Sequence, residues 1–381
     1  MRRFRRPAVR RLHLARIILV AAGALLVIAA GLLRFVIVPA AAQLPADVDT
    51  TLIMTGRLTT LDPAALDRGD LQHAIIRDAP SRLDWRVRSA GVQGDAELLA
   101  DTQILTSPPS PREIARVELT YAVNRKTLYG TRAITGPGIT NPVGLTESFP
   151  IPTEQRDYLG WVDDAERTTT LPFRGEEEHA GLLTYRFIAD IRALPITDRR
   201  VLDQFPTSLP KAVLPVAASL LGASPQLQAQ LRAALPKLPD NVALTYTYTE
   251  YTDFWVEPTT GVVVDLNRHE MRSVVLPLPG SPQLAVYDNR YAPTAATVAD
   301  QRDEAADGRD EIMLLGSTVP LMLAISGGLL FAVAAWLVLR ARRRRSGSGL
   351  DTGSPNNGLP PQRVPPEEGH PSGGRTAAER A

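Results

Sequence analysis

The chain contains 381 residues, no cysteine and a formal net charge of +1 at neutral pH. Without cysteine, the sequence excludes disulfides, thiol catalysis, thiolate metal sites and covalent haem attachment. The near-neutral total hides an uneven distribution, because residues 40–311 carry 37 acidic and 26 basic side chains, a net charge of −11. This acidity argues against nucleic acid as a partner, since binding phosphate requires clustered Lys and Arg.

The N-terminal part of the chain predicts a membrane anchor. Residues 1–16 are basic, with seven arginines, and they precede an apolar run, 17–38, whose one charge is Arg34. About 20 apolar helical residues cross a bilayer core of ~30 Å, so this run is long enough to span it. Arg34 lies near the outer end of the run, where we expect its side chain to reach the lipid headgroups.

A second interpretation of the same run is a cleavable signal peptide. The basic start, the apolar stretch and the three alanines 40–42 before Gln43 resemble one. The apolar stretch is longer than the ~7–15 residues usual in a signal peptide, so a retained anchor is favoured. Cleavage after Ala42 would leave the same outer domain held by a C-terminal anchor.

Residues 39–299 are predicted to form a mainly antiparallel β domain. The clearest unit is a hairpin over 244–265, in which Tyr246 and Tyr248 share one face and 257–261 supplies a turn containing Pro and Gly. Other runs rich in β-branched and apolar residues predict strands at 50–61, 83–89, 96–105, 116–123, 168–173 and 182–191.

One segment of this domain, 211–235, breaks the β pattern with apolar residues at helical spacing. It predicts a small insertion of two helices, 213–221 and 225–235, with Ser224 as the N-cap and Pro225 at the first helical position. Because the first helix is unusually apolar, we expect it to pack on the sheet. The alternative is an exposed tip that contacts lipid or a partner.

The C-terminal part predicts a second anchor, followed by a basic flank like the one that precedes the first. The charged segment 300–311 is expected to be a helical stalk, and it leads into 312–339, which contains no charge. Arginines follow directly, at 340 and 342–345. Arginine-rich flanks stay on the cytoplasmic side, so we expect a two-pass plasma-membrane protein with both termini in the cytoplasm and the β domain outside. The cytoplasmic tail, 340–381, is rich in Gly, Ser and Pro and is predicted to be disordered.

The second apolar run also carries a pattern typical of helix packing. Ala324, Gly328 and Ala332 place small residues at four-residue spacing, which allows another helix to approach closely. The partner is either the first helix or another copy of the chain, although an Ala-rich sequence also produces such spacing by chance. Pro320 predicts a kink near the outer leaflet.

A search for catalytic and metal-binding patterns predicts no catalytic, cofactor-binding or metal-binding residues and no cofactor. The sequence contains no HExxH, GxSxG, P-loop or GxGxxG. Adjacent carboxylates at 163–164 and 176–178 are interpreted as solvated turns, since neighbouring strand residues point to opposite faces. Catalysis by distant Asp and Glu leaves no sequence pattern and is a lower-ranked alternative. The histidines within the β domain, expected to be surface or structural residues, are His73, His179 and His269.

Five short segments form a recognisable set when they are taken together. They are Leu44-Pro-Ala-Asp-Val-Asp-Thr50, Glu147-Ser-Phe-Pro150 with the polar run to Trp161, Gly175-Glu-Glu-Glu-His-Ala-Gly-Leu-Leu-Thr-Tyr-Arg-Phe187, Trp255-Val-Glu-Pro-Thr-Thr-Gly261 and Leu315-Gly-Ser-Thr-Val-Pro320. Over roughly residues 16–345 the chain resembles the two-pass envelope proteins of actinobacteria known as the porin PorA family. Asn124 departs from the resemblance, standing where Asp is expected in an Asp-Arg-Lys-Thr turn. The resemblance implies architecture and location, and it carries no catalytic residues.

These patterns predict a membrane-anchored α+β protein, in which two terminal transmembrane helices bracket a mainly antiparallel β extracytoplasmic domain with a small helical insertion. A transmembrane β-barrel is not expected, because the β region is acidic and Pro-rich and lies between helical anchors. We expect a non-enzymatic cell-envelope protein whose outer domain binds a lipid, a glycolipid or an envelope partner in an apolar groove. The alternatives are a porin-type channel and an envelope assembly scaffold. Expected partners are therefore membrane lipid, a lipid or glycolipid ligand, and a second copy or an envelope protein bound through the second helix.

Overall fold

The two apolar runs form long helices towards the two ends of the chain. In the computed structural model, which describes residues 6–346 apart from 63, 66, 67, 71, 72 and 147, two helical stretches are long and apolar enough to cross a membrane, His13–Ala41 and Ala295–Arg343. Each contains a π-helical turn, Leu33–Ile37 in the first and Leu314–Thr318 in the second. Residues 340–346, the start of the tail predicted to be disordered over 340–381, are helical, and the rest of that tail lies outside the described residues. The α-helices are α1 Arg6–Leu32, α2 Val38–Ala41, α3 Arg199–Leu202, α4 Leu214–Leu220, α5 Pro225–Ala234, α6 Ala295–Met313 and α7 Val319–Ser346.

The chain between the long helices is mainly β, as predicted. Among the described residues, nine strands form one antiparallel sheet in the order β4-β3-β2-β1-β13-β12-β11-β8-β7, and two further pairs, β5 with β6 and β9 with β10, stand apart. The strands are β1 Asp49–Leu61, β2 Ile75–Gln93, β3 Ala96–Ser107, β4 Ser110–Asn124, β5 Tyr158–Val162, β6 Arg167–Leu171, β7 Phe173–His179, β8 Leu182–Pro195, β9 Ser208–Pro210, β10 Asn241–Ala243, β11 Thr245–Val256, β12 Val263–Val275 and β13 Gln283–Pro293.

The first strand pairs with the last, and this pairing brings the two long helices to one place in the sheet. β1 and β13 approach closely at Gly56, where an added Cβ would lie 1.9 Å from the carbonyl oxygen of Arg290. The side chain of Thr297, in the first turn of α6, donates to the carbonyl of Ile53 at 3.1 Å. Because α2 comes shortly before β1 and α6 directly after β13, both helices leave the sheet from its middle strands.

The hairpin predicted over 244–265 is confirmed as β11 and β12, but its second strand is longer than expected. β12 continues to Val275, whereas the predicted return strand ended at residue 266. The missed part contains Arg268, Glu270 and Arg272, whose charges conceal a strand that is in fact central to the sheet. The strand predicted at 168–173 is divided between β6 and β7 at Pro172, which has no N–H to donate. The strand β13 was missed altogether.

The two helices predicted in 211–235 are present as α4 and α5. Ser224 accepts a hydrogen bond from the N–H of Leu227 at 3.2 Å, which confirms it as the N-cap. The apolar helix α4 packs on the sheet and is not an exposed tip. Its buried side chains Leu214 and Ala218 belong to the same core cluster as Tyr246 and Val274 of the sheet. Burial on the sheet therefore explains the apolar character of this helix.

The chain divides into two compact units, Leu25–Ser326 and the remainder at the two ends. In the terminal unit, Arg16 Nη2 donates to the carbonyl of Leu337 at 2.8 Å, and a Cβ on Gly23 would lie 2.9 Å from the carbonyl oxygen of Gly327. The two helices of this unit are thus antiparallel, and they meet at Gly327. The neighbouring Gly328, a member of the predicted small-residue stripe, has open space around it.

In the unit Leu25–Ser326, the two π-helical turns contact each other. Arg34, in the first turn, donates from Nη1 to the carbonyl of Gly316 at 2.6 Å and to Ser317 Oγ at 3.2 Å. The side chain expected to reach lipid headgroups therefore also binds the backbone of the second helix. The hydrogen bond to this carbonyl lowers the free-energy cost of placing a charged arginine within an apolar helical run.

Candidate functional site

An apolar cavity of about 720 Å³ lies against the inner face of the sheet, within Leu25–Ser326. Its lining includes Val38 and Ala41, where the first long helix ends, and Ile312 and Leu315, where the second apolar run begins. Alternate residues of a strand point to one face, so the strands supply the opposite wall from positions two apart. These wall residues are Leu52, Trp85, Val87, Leu99, Val123 and Leu266.

A smaller and more polar cavity of about 330 Å³, called here the polar chamber, lies along the same face of the sheet. It is lined by charged side chains of the sheet, by the turn after β5 and by α3. The two cavities share part of their lining, so they adjoin and together form an amphipathic interior. The shared residues, called here the junction, are Trp85, Thr146, Ser148, Phe254, Val263 and Arg268.

Arg272 and Asp164 form a bidentate ion pair at the chamber. Arg272 Nε and Nη2 donate to the two carboxylate oxygens of Asp164 at 2.6 and 3.0 Å. The guanidinium also lies 4.8 Å from the ring centroid of Tyr287, a cation–π distance. Burial by itself would lower the pKa of Arg272, but the carboxylate of Asp164 more than offsets this and raises the pKa well above its ordinary value. Arg272 therefore remains charged across the physiological pH range.

Two glutamates on neighbouring strands are satisfied by phenols and a hydroxyl. Tyr248 donates to Glu250 Oε2 at 2.6 Å, and Thr252 donates to Glu250 Oε1 at 2.6 Å. Tyr287 donates to Glu270 Oε1 at 2.6 Å. Burial raises the pKa of both tyrosines well above the ordinary range, so they remain neutral donors. The charged network is thus rigidly held, because each acceptor has a short bond to a buried partner.

Asp163 and Asp164, interpreted from the sequence as a solvated turn, do lie in the turn after β5, but that interpretation was wrong about solvent. The side chain of Asp164 is buried against Arg272. Asp163 accepts from Tyr121 Oη at 2.8 Å and from Trp161 Nε1 at 3.1 Å. Burial raises the pKa of Asp163 to about 6, and these two hydrogen bonds limit the rise. Both carboxylates point inward because the fold supplies a partner for each, Arg272 for Asp164 and the Tyr121 and Trp161 donors for Asp163.

Two polar atoms of the junction have no hydrogen-bond partner among the described residues. They are Nε1 of Trp85, a residue that is 7% exposed, and Oγ1 of Thr146. Buried polar groups without a partner are rare, since each costs about 1–3 kcal/mol. Both residues line both cavities. Their unsatisfied atoms therefore mark the place where a bound molecule would gain most from an oxygen atom.

The match to known proteins follows the same architecture from the first long helix to the second. The family described as Porin PorA matches this chain over residues 15–336. The chain belongs to the Porin PorA family. A relative named Porin PorA, from Corynebacterium resistens, is 27% identical over 246 residues, which cover 55% of this chain and 59% of the relative. The recognition made from the sequence is thereby confirmed, and the match spans about three-fifths of that relative's length.

The segment 44–50, one of those that resemble the PorA family, meets the turn after β4 beside the apolar cavity. Arg125, in the turn after Asn124, donates from Nε and Nη2 to the carbonyl of Leu44 at 2.9 and 2.6 Å. The N–H of Leu44 donates in return to the carbonyl of Arg125 at 2.8 Å. Arg125 Nε also lies 3.2 Å from Oε2 of Glu97, whose side chain is fully buried. The turn therefore fixes the segment that leads from the first helix into the sheet.

Two further PorA-family segments pack on each other at the turn between β11 and β12. The buried carboxylate of Glu257 accepts from the N–H groups of Thr259 and Thr260 at 3.0 and 2.8 Å and so holds the turn closed. Gly261 has φ +73°, and a Cβ there would lie 2.1 Å from the carbonyl oxygen of Phe149. The residue must be glycine for both reasons. These segments position the wall of the apolar cavity, whose lining includes Gly261.

The remaining carboxylate and histidine candidates among the described residues do not belong to the lining of either cavity. Residues 176–178 belong to the edge strand β7, with exposed side chains, and are not a turn. His179 stacks on Trp255 with ring centroids 4.4 Å apart and lies 2.7 Å from Asp265. His269 pairs with Asp288 at 2.9 Å. These are structural pairs on the outer face of the PorA-family sheet.

The junction residues were missed by sequence reasoning, for two reasons. Trp85 and Thr146 are ordinary residues until the fold places them between two cavities. Arg268, Glu270 and Arg272 did carry a signal, because charges at every second position of a β-rich segment all point to one face. The predicted hairpin, 244–265, ends before these residues.

Proposed function

We propose that the β domain binds an apolar or amphiphilic molecule in the 720 Å³ cavity. The observation that carries the proposal is the position of the cavity, whose lining includes the ends of both apolar helical runs at Ala41 and Ile312. A lipid leaving a bilayer spanned by these helices would reach the cavity without crossing water. The volume lies within the ~300–1,000 Å³ typical of small-molecule sites.

The proposal includes a membrane topology. We infer that both apolar helices span the plasma membrane, with both termini in the cytoplasm and the β domain outside. Two helices of sufficient length and low burial support it, as do the arginine clusters beyond their inner ends. We also propose that the role is non-enzymatic, because the charged groups of the chamber are engaged with one another and not arranged around a nucleophile.

Photolabelling in lipid nanodiscs tests the proposed binding. The full-length chain is exposed to diazirine-bearing hexadecane, and labelled peptides are mapped by mass spectrometry. Labelling is expected on the wall strands β3 and β4 as well as on the long helices. Leu52→Trp narrows the cavity beside β1 and should reduce labelling of the wall strands. The matched control is Thr51→Trp, because Thr51 is the adjacent residue on the exposed face of the same strand.

The result has a clear negative outcome. If wall-strand labelling is absent from the wild-type chain, or if it persists unchanged in Leu52→Trp with β1 still folded by circular dichroism, the proposal fails. Equal loss in Thr51→Trp would attribute the effect to general damage and would equally remove the support for the cavity.

A second candidate function, conduction across the membrane, is favoured by the name of the family and of the Corynebacterium resistens relative. Two helices in one chain cannot enclose a pore, so this function requires several copies packed through the second helix. The exposed stripe at Ala324, Gly328 and Ala332 offers a contact for them. Stepwise conductance in planar bilayers that disappears in Gly328→Leu would support this candidate, and silent bilayers at all protein concentrations would remove it.

A further inference from the structure

We propose that the junction of the two cavities is a head-group subsite for a neutral, oxygen-rich amphiphile. In this arrangement the apolar chain lies in the large cavity, a carbonyl or hydroxyl oxygen accepts from Trp85 Nε1 and Thr146 Oγ1, and further hydroxyl groups enter the polar chamber. The inference rests on the proposed function and adds the chemical class of the ligand.

The two unsatisfied atoms are the first part of the argument. The indole N–H of Trp85 can only donate, and the hydroxyl of Thr146 can donate or accept. Neither has a partner in the part of the chain that the structure describes. Trp85 is held by the guanidinium of Arg268, which lies 5.7 Å from its ring centroid. An oxygen acceptor is therefore the group that this site lacks.

The charge of the chamber decides between possible head groups. Seven carboxylates and four arginines line it, so an anionic head group would meet an excess of negative charge. Each of the four arginines is already matched with carboxylate, with distances of 2.6 Å for Arg272–Asp164, 2.7 Å for Arg200–Asp198, 2.7 Å for Arg116–Glu113 and 3.4 Å for Arg268–Glu250. An anion would have to break one of these pairs in order to gain a counter-charge.

Two of the seven carboxylates, those of Glu250 and Glu270, are also poorly placed to hold a cation. The carboxylate of Glu250 accepts hydrogen bonds from Tyr248 and Thr252, and that of Glu270 accepts one from Tyr287, each at 2.6 Å. Their partners would have to be displaced before an ammonium group could bind. Hydroxyl groups, in contrast, can add a hydrogen bond to an acceptor that already has one, and they carry no charge to desolvate.

The direction of binding follows from the order of the two cavities. The apolar cavity has the ends of the long helices in its lining, whereas the polar chamber does not. The chain of an amphiphile therefore points towards the membrane side and its head group points inward. This matches the orientation of the same molecule in the outer leaflet of a bilayer, so the ligand would withdraw head-first without turning.

Competition in nanodiscs tests the subsite. Full-length protein is labelled with diazirine-bearing hexadecane while monopalmitoylglycerol, palmitate or hexadecyltrimethylammonium is added as competitor. Monopalmitoylglycerol is expected to compete at about tenfold lower concentration than either charged amphiphile, since burying an uncompensated charge is costly. Trp85→Phe and Thr146→Val should each weaken its competition about three- to tenfold, as expected for one lost hydrogen bond.

The controls separate the subsite from the cavity. Trp255→Phe makes the same change on the outer face, where Nε1 bonds to Glu177, and should leave competition unchanged. Competition in Trp85→Phe and Thr146→Val is expressed relative to each variant's own hexadecane labelling, because both residues also line the apolar cavity.

Each outcome has a distinct meaning. If hexadecane does not label the wall strands at all, the proposed function fails. If hexadecane labels the wall strands but a charged amphiphile competes as well as monopalmitoylglycerol, the head-group inference is overturned. It is also overturned if monopalmitoylglycerol competes with labelling of Trp85→Phe and Thr146→Val as well as it does with labelling of the unmodified chain. In both cases the apolar cavity stands.

Discussion

Replacing Arg272 with methionine removes the guanidinium that holds Asp164 by hydrogen bonds of 2.6 and 3.0 Å. The side chains of the pair are 17% and 9% exposed, so solvent screens the interaction only weakly. Methionine fills a similar volume but leaves a buried carboxylate without its counter-charge. Removing one partner of a buried pair costs about 3–5 kcal/mol, and we expect the free energy of unfolding of the β domain to fall by about this amount.

The expected loss corresponds to a fall of roughly 6–20 °C in the midpoint of thermal unfolding, at about 2–4 °C per kcal/mol for a domain of this size. The assay is thermal unfolding of the full-length chain in detergent, followed by circular dichroism at a β-sheet wavelength. The double variant Arg272→Met with Asp164→Asn should recover part of the loss, because the orphaned charge is removed as well. A fall below about 1 kcal/mol, or strict additivity of the two substitutions, would refute the reasoning.

Burial raises the pKa of Asp163 to about 6 from an ordinary value of 3.8, so its favourable contribution to stability is complete below about pH 4 and is lost as the pH rises through 6. Between those limits the free energy of unfolding of the wild-type chain should fall by about 3 kcal/mol relative to that of Asp163→Asn. Parallel curves of stability against pH for the two proteins would contradict this. Gly261→Ala should lower the free energy of unfolding by about 3 kcal/mol, because the new Cβ would lie 2.1 Å from the carbonyl oxygen of Phe149 and φ is positive. The control Gly280→Ala has a positive φ but open space, so it should cost only about 1 kcal/mol. Equal losses in the two variants would show that the structure relieves the clash. Gly23→Leu should separate the two helices at Gly23 and lower the midpoint of their thermal unfolding in detergent. The control Gly31→Leu should not, because a Cβ at Gly31 meets no atom within 4 Å. A larger effect of Gly31→Leu would argue against this helix contact.

The class of the fold could be predicted because its signals are local. Length and apolarity identify the long helices, alternation identifies β1, β3, β4 and β8, and a change of period identifies α4 and α5. The failures share a cause. β12 and β13 carry polar side chains that face a buried network, and Asp163 and Asp164 occupy a turn that the fold covers. Polarity in the sequence predicts solvent exposure only when no tertiary partner is present.

Local composition accounts for the two apolar helical runs of this PorA-family chain, for the acidic β segment between them and for the basic flank beyond each. Each of these properties belongs to a stretch of about 10 to 30 neighbouring residues and does not depend on contacts with the rest of the chain. Only the tertiary structure decided that β1 lies beside β13, that the ends of both runs line one apolar cavity, and that this cavity joins a polar chamber at Trp85 and Thr146. The reason is that a cavity is lined by residues from distant parts of the chain, so its position depends on strand pairing and not on local pattern.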